Sequence, residues 1–276
     1  MVCAGIDIGS TTTKVVFLTS NREVAAMSIG PTGFAPEAAT LREIQNCYSQ
    51  AGLTEVDVAY WVATGYGREL IKFADEQVTE ITCHGKGAHA FDSAARGVID
   101  MGGQDSKAIS LDETGRVVEF AMNDRCAAGT GKFLEVTART IGISPEEMGR
   151  LSLRSTKEVA VSSVCTVFAE AEVISLVSKG VAAVDILAGI HRAVVRRVQG
   201  LLRRAQVLPP FVMTGGVAKN IGVVKAFEEL LQTKLLIPEE PQIMGALGAA
   251  FIALERYERN RRIERKIDSE RDSQRV

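Results

Sequence analysis

Ile6-Asp7-Ile8-Gly9-Ser10-Thr11-Thr12-Thr13-Lys14 decides the fold, because the chain repeats its pattern as Ile99-Asp100-Met101-Gly102-Gly103-Gln104-Asp105-Ser106-Lys107. Each copy sets an aspartate between two apolar residues, then glycine, then a short polar loop ending in lysine. An apolar strand of this kind delivers a carboxylate to its end. Glycine lets the backbone reverse tightly and lie close to a ligand. The loop then offers N–H and hydroxyl groups to an anion. Two such loops imply two related half-domains gripping one phosphate chain from opposite sides.

The commoner nucleotide motifs fail. Gly129-Thr130-Gly131-Lys132 looks like the end of a Walker loop, but Cys126 stands five residues before Gly131, and Phe133 occupies the place of the magnesium-binding Ser or Thr. No G-x-G-x-x-G follows the first strand, which disfavours a dinucleotide fold. The duplicated loop assigns Asp7 and Asp100 to hold Mg2+ through water, since this cation keeps part of its hydration shell. Gly9, Gly102 and Gly103 admit the phosphates to the backbone. The hydroxyls of Ser10, Thr11, Thr12 and Thr13 and the Lys14 ammonium are candidates for phosphate oxygens. Gln104 is the candidate to orient an attacking water in line with the terminal phosphate. A third loop, Met213-Thr214-Gly215-Gly216-Val217-Ala218-Lys219-Asn220, runs from a strand through a Gly-Gly turn towards a helix. Without a Cβ, Gly215 and Gly216 can lie flat against a base and sugar, with Lys219 beside them.

The 276 residues suffice for one large domain or two ordinary ones. A net charge of −2 gives no electrostatic case for nucleic acid or an anionic membrane. No apolar run approaches the roughly 20 residues needed to cross a bilayer. Met1-Val2-Cys3-Ala4 leads straight into the first motif without a charged and then apolar leader, so a cytoplasmic protein is expected. Five cysteines in such a chain argue against a disulfide framework.

Hydrophobic periodicity gives alternating strands and helices, hence the α/β class. Strands are expected at residues 6–8, 15–18, 24–29, 58–63, 98–101, 108–111, 117–121, 212–214 and 234–237. Helices are expected over residues 36–51, 131–141, 144–151, 168–179, 184–207, 223–232 and 245–265, and over the second half of 81–95. Ser144, Pro145 and Glu147 form nearly a capping box. The expected division is residues 1–96 plus 246–265 as a first domain, 97–245 as a second, and 266–276 as a charged tail. Arg192, Arg196, Arg197, Arg203 and Arg204 read as the solvated face of one helix, with contact to an acidic partner or electron donor as the alternative.

Cys3 and Cys47 read as core residues, since free cysteine is among the most buried types. Cys83-His84 lacks the second pair a metal site needs. Cys126 and Cys165 differ, each lying among small or hydroxyl residues and expected at a helix start, where a thiol is acidified. They read either as cluster ligands or as ordinary buried or reactive thiols. An iron–sulfur cluster wants four thiolates, and the chain has no C-x-x-C. Two cysteines become four when two chains meet on a twofold axis.

Two phosphate loops followed by a Gly-Gly loop resemble the acetate kinase, sugar kinase, Hsp70 and actin superfamily. That resemblance implies two ribonuclease-H-like domains with an interdomain ATP cleft. Gly245-Ala246-Leu247-Gly248-Ala249-Ala250-Phe251 matches the late helix that returns to the first domain. Adding Asn123-Asp124-Arg125-Cys126-Ala127-Ala128-Gly129-Thr130-Gly131 and Ser163-Val164-Cys165-Thr166-Val167-Phe168, the chain resembles the activators of 2-hydroxyacyl-CoA dehydratases, in the BadF/BadG/BcrA/BcrD ATPase family. The similarity takes in Ala63 to Arg68 and Gly189 to Arg192, and stops near residue 256.

The family resemblance implies a homodimer with one nucleotide site per subunit and one [4Fe-4S] cluster between subunits, held by Cys126 and Cys165. It implies ATP hydrolysis that passes a low-potential electron from ferredoxin or flavodoxin to a dehydratase or reductase component acting on a CoA thioester. A benzoyl-CoA-reductase-type ATP-binding subunit is the alternative within the family. A small-molecule kinase and a nucleotide sensor are the alternatives outside it.

Overall fold

The computed structural model describes residues 1–123, 126–161 and 166–273. The chain forms two compact units, one of Met1–Gly87 with Ile243–Val276 and one of Ala88–Gln242.

In the first unit β1 (Val2–Ile8), β2 (Thr12–Thr19) and β3 (Val24–Pro31) make an antiparallel meander. β4 (Val58–Thr64) and the two-residue β5 (Glu76–Gln77) extend it in parallel, giving the order β3-β2-β1-β4-β5. α1 (Pro36–Ala51) starts on Pro36 and ends at Gly52, whose left-handed backbone donates to the Tyr48 carbonyl. α2 spans Glu80–Phe91. Every residue of β1 is buried, and period 2 divides them between two cores. Ala4, Ile6 and Ile8 join Phe17, Ile44 and Cys47 on the α1 side, whereas Cys3 joins Val16, Val62 and Cys83 on the other.

The second unit repeats this plan. β6 (Gly97–Met101), β7 (Ser106–Leu111) and β8 (Val117–Asn123) form the meander. β9 (Phe211–Thr214) and β10 (Leu235–Leu236) add in parallel, giving β10-β9-β6-β7-β8. Its helices are α3 (Gly131–Ile141), α4 (Pro145–Ser152), α5 (Thr166–Ser178), α6 (Ala183–Arg204) and α7 (Ile221–Leu231). Their apolar faces enclose Ile99, Met101, Ala108 and Ala121 of the sheet with Val194, Val198 and Phe227. α4 has the full Ser144/Glu147 capping box.

α8 (Met244–Ser273) then returns to the first unit, packing on β1, β2 and β4. It runs through residue 265 to Ser273 without a break, so the charged segment up to Ser273 continues the helix. α2 also departs from expectation, since it starts at Glu80, takes the first half of residues 81–95 and ends at Phe91 within the second. Thr79 Oγ1 accepts from the Thr82 N–H and starts the helix early, and Asp92 Oδ1 caps the turn that ends it by accepting from Ala94 N–H. Among the described residues no helix is long and apolar enough to cross a membrane.

Candidate functional site

The two copies of the opening motif have the same geometry. Asp7 faces Lys14 across β1 and β2, and Asp100 faces Lys107 across β6 and β7. Lys14 Nζ donates to Asp7 Oδ2 at 3.1 Å, and Lys107 Nζ donates to Asp100 Oδ2 at 3.2 Å and Asp105 Oδ2 at 2.7 Å. Each turn closes the same way. Gly9 N–H donates to the Thr12 carbonyl and Gly102 N–H to the Asp105 carbonyl, both at 3.0 Å. Both aspartates are buried at the ends of central strands, each with a lysine as counter-charge. Each arrangement thus sets a carboxylate and an ammonium side by side at the end of a central strand.

In the first loop Ser10 and Thr11 are exposed and Thr12 is half-buried. Thr13 is different. Its hydroxyl is buried against Thr32 Oγ1 at 3.0 Å, and Thr32 Oγ1 in turn donates to the Gly9 carbonyl at 2.8 Å. Period 2 aims Thr13 inward, so it braces the loop from beneath and leaves Ser10, Thr11 and Thr12 on the open side of the loop. In the second loop Gln104 is exposed and Gly102 and Gly103 are half-buried.

The repeat extends further than its sequence. Asp7 pairs in register with Thr64 on β4, and Asp100 with Thr214 on β9. A glycine with positive φ follows each threonine, Gly65 at 85° and Gly215 at 83°. A Cβ on Gly65 would overlap Asp7 Oδ1, and one on Gly215 the Met101 carbonyl. Thr214 Oγ1 donates to Asp100 Oδ1 at 2.7 Å. Thr64-Gly65 and Thr214 are thus neighbours of the two aspartates that the motifs alone do not reveal. The signal was the shared strand-Thr-Gly ending of Ala63-Thr64-Gly65 and Met213-Thr214-Gly215.

Gly215 N–H donates to the Pro241 carbonyl at 2.9 Å, and Gly216–Lys219 form a single 3-10 turn. Lys219 Nζ donates to Glu240 Oε2 at 2.7 Å. Asn220 caps α7, its Oδ1 accepting from Gly222 and Val223 N–H. Behind it lies His191, buried on α6. Ser152 Oγ donates to the Gly149 carbonyl and so accepts from His191 Nδ1 at 3.0 Å, while Nε2 accepts from Asn220 Nδ2 at 3.3 Å. Both ring nitrogens are committed to the neutral imidazole. Burial first, and then the charge of Arg192, lower its pKa from 6.5 to about 4.

Unfolded chains take up this proton near 6.5 and the folded chain only near 4. The stabilisation is therefore complete above pH 6.5 and is lost as pH falls towards 4. The gap is worth about 3 kcal/mol. His191→Gln is expected to flatten this dependence, read as the urea midpoint by far-ultraviolet circular dichroism at pH 7 and pH 4.5. An equal acid loss in both proteins would remove His191 from the account.

The cysteines divide by environment. Cys3, Cys47 and Cys83 are buried, and burial pushes each thiol up to about 12. A thiol held protonated is a poor metal ligand. Cys126 is partly exposed. It does not sit at a helix start as expected, because α3 begins at Gly131 with Thr130 as N-cap. Gly129 adopts φ 86°, and Asn123 Nδ2 donates to the Cys126 and Ala128 carbonyls, which holds the segment as a loop. Cys165 lies outside the described residues. No group of three or more potential metal ligands forms among the described residues. Arg192 and Arg197 are not simply solvated. Arg192 donates to the Val159 carbonyl at 3.2 Å, and Arg197 Nε is buried.

Residues 4–253 match the model of the BadF/BadG/BcrA/BcrD ATPase family. The chain belongs to this ATPase family. Within it, the activator of lactoyl-CoA dehydratase from Anaerotignum propionicum is 45% identical over 255 residues, covering 92% of this chain and 98% of the relative. The solved activator of 2-hydroxyisocaproyl-CoA dehydratase from Clostridium difficile, with bound ADPNP, superposes at a TM-score of 0.90 with 42% identity, over 95% of this chain and 97% of that one. A ROK family glucokinase from Streptomyces griseus matches 92% of this chain and 100% of its own at a TM-score of 0.58 and 12% identity, a likeness of fold alone. The family fold is thus the two-domain α/β fold of the actin, Hsp70 and sugar kinase ATPases.

Proposed function

We propose that this ATPase is an activator of a 2-hydroxyacyl-CoA dehydratase, hydrolysing ATP to deliver a low-potential electron to that partner. Its similarity to dehydratase activators along nearly the whole chain carries the reading. In this proposal Asp7 and Asp100 hold Mg2+ through water, and Gly9, Ser10, Thr11, Thr12, Lys14, Gly102 and Gly103 bind phosphate. Gln104 orients the attacking water, and Gly215, Gly216 and Lys219 receive the adenosine. Lys14 and Lys107, each already opposite an aspartate, offset charge on the phosphates.

The donor set fits a shared cluster better than a cluster within one chain. Cys126 is the one cysteine, among the four described, that is not buried. We assign Cys126 and Cys165 of two copies as the four ligands of a [4Fe-4S] cluster, which makes the active species a homodimer. When bound, that cluster would supply one-electron transfer. Ferredoxin or flavodoxin is the expected donor, in the cytoplasm.

The test is anaerobic purification followed by iron analysis. Brown wild-type protein is expected, with Cys126→Ala and Cys165→Ala colourless and depleted of iron yet still binding Mg·ADPNP. Wild-type protein that stays colourless after reconstitution with iron and sulfide would overturn the electron-transfer reading. Phosphoryl transfer to a small hydroxylated acceptor would favour a kinase.

A further inference from the structure

The second glycine loop is hydrogen-bonded directly to the segment that carries Cys126. Ser106 Oγ donates to the Gly129 carbonyl at 2.6 Å. Gly131 N–H donates to the Gly102 carbonyl at 2.9 Å, and Lys132 N–H to the Gly103 carbonyl at 2.8 Å. The opening N–H groups of α3, which a helix leaves unpaired, are therefore taken by the glycine loop itself. From the other side, Asn123 Nδ2 holds the Cys126 carbonyl at 2.9 Å and the Ala128 carbonyl at 3.2 Å. Ser106 is almost wholly buried, so its bond to Gly129 is shielded from water. Its side chain faces the cysteine segment and not the open side of the loop.

We infer that Ser106 is a positioning residue that couples the nucleotide state of the second glycine loop to the exposure of Cys126. The inference rests on the nucleotide reading proposed above. Lys107, next to Ser106, bridges Asp100 and Asp105. A phosphate entering Gly102–Asp105 competes for that ammonium and must rearrange the bridge. Ser106 opens β7 between the glycine loop and Lys107, with its hydroxyl on Gly129. The two carbonyls of the loop sit on the start of α3. A shift of the loop therefore moves Gly129–Lys132, and Cys126 three residues upstream moves with them. Two elements that share hydrogen bonds this short shift together and not independently. Ser106 supplies the side-chain bond in this set nearest the nucleotide, and Asn123 supplies those nearest the thiol.

The coupling is readable without any cluster. The full-length chain is prepared iron-free, and Cys126 is alkylated with iodoacetamide with and without Mg·ADPNP, following the Cys126 peptide by mass spectrometry. In the wild type the two rates are expected to differ by at least about fivefold, the lower end of ordinary coupling between sites. Ser106→Ala should bring the ratio close to one while ADPNP affinity by calorimetry stays unchanged. Ser106→Thr, which keeps the hydroxyl, should restore the ratio. A purely structural role for Ser106 would raise both alkylation rates and leave their ratio alone. Asn123→Ala, at a half-buried strand end, should lose the ratio too, and serves if Ser106→Ala does not fold. A wild-type ratio of one with ADPNP bound, or a full ratio in folded Ser106→Ala (in Asn123→Ala where the first variant does not fold), overturns the coupling. Wild-type protein that binds no ADPNP strikes the nucleotide reading instead.

Discussion

Asp7→Asn is expected to cut Mg-dependent ATP hydrolysis by ~100-fold or more, about 3 kcal/mol of transition-state stabilisation. The carboxylate lies at the end of the fully buried strand β1, fixed by Lys14 and by its place beside Gly65 and Gly245. A side chain so confined cannot swing away, so its charge stays fixed for the proposed Mg2+ role. The amide has the same shape but no charge, and its NH2 group would face the Lys14 ammonium in one of its two orientations. The loss should therefore fall on kcat, with the fold intact by Trp61 fluorescence, a probe of the first unit alone because Trp61 is the single tryptophan. Iron bound by Cys126 and Cys165 should be unaffected. A decrease of less than about tenfold would remove Asp7 from the role assigned here.

The duplicated loop was legible because its chemistry is local. Strand, glycine turn and returning strand follow from the pattern alone, and the seven-residue spacing then sets Lys14 opposite Asp7 and Lys107 opposite Asp100, a pairing the structure adds. The capping box at Ser144 and the span of α1 were legible for the same reason. What escaped reading depends on parallel neighbours far along the chain. Thr64 and Thr214 meet the aspartates only through the pairing of β4 with β1 and β9 with β6. His191 reaches Asn220 only because α6 and α7 pack together. Cys126 was misplaced for a subtler reason. Ala127-Ala128-Gly129-Thr130-Gly131 permits a helix start at several residues, and the choice of Gly131 is made by the Gly102 and Gly103 carbonyls and by Ser106. Thr13 was misjudged because period 2, which makes β2 legible, turns its hydroxyl inward.

The other large effect concerns how α8 reaches the first unit. Gly248→Ala is expected to destabilise that unit by about 3 kcal/mol or more. A Cβ at Gly248 would overlap the Cys83 carbonyl of α2, and one at Gly5 on β1 would overlap the Ala246 carbonyl of α8. In both places backbone meets backbone, so no side chain can rotate to make room. On the sheet-facing side of α8 the small residues Ala246, Ala249, Ala250 and Ala253 pack with Cys3, Val16 and Val62. One methyl group at Gly248 must therefore force α8 and α2 apart, with the sheet packed behind α8 leaving it no room to retreat. The start of α8 would move with it, and a Cβ at Gly245 would already stand only 2.9 Å from Asp7 Oδ2, so hydrolysis should fall alongside stability. Gly200→Ala is the control. It sits inside α6 with nothing within 4 Å of the added Cβ, and the same chemical change there should stabilise by about 0.5–1 kcal/mol. Urea unfolding followed by Trp61 fluorescence reads the first variant, and far-ultraviolet circular dichroism reads the second. Two glycines in helices, given the same methyl, are expected to respond with opposite sign, because one faces backbone and the other faces open space. Equal stability of Gly248→Ala and wild type would mean that α8 does not depend on this close approach.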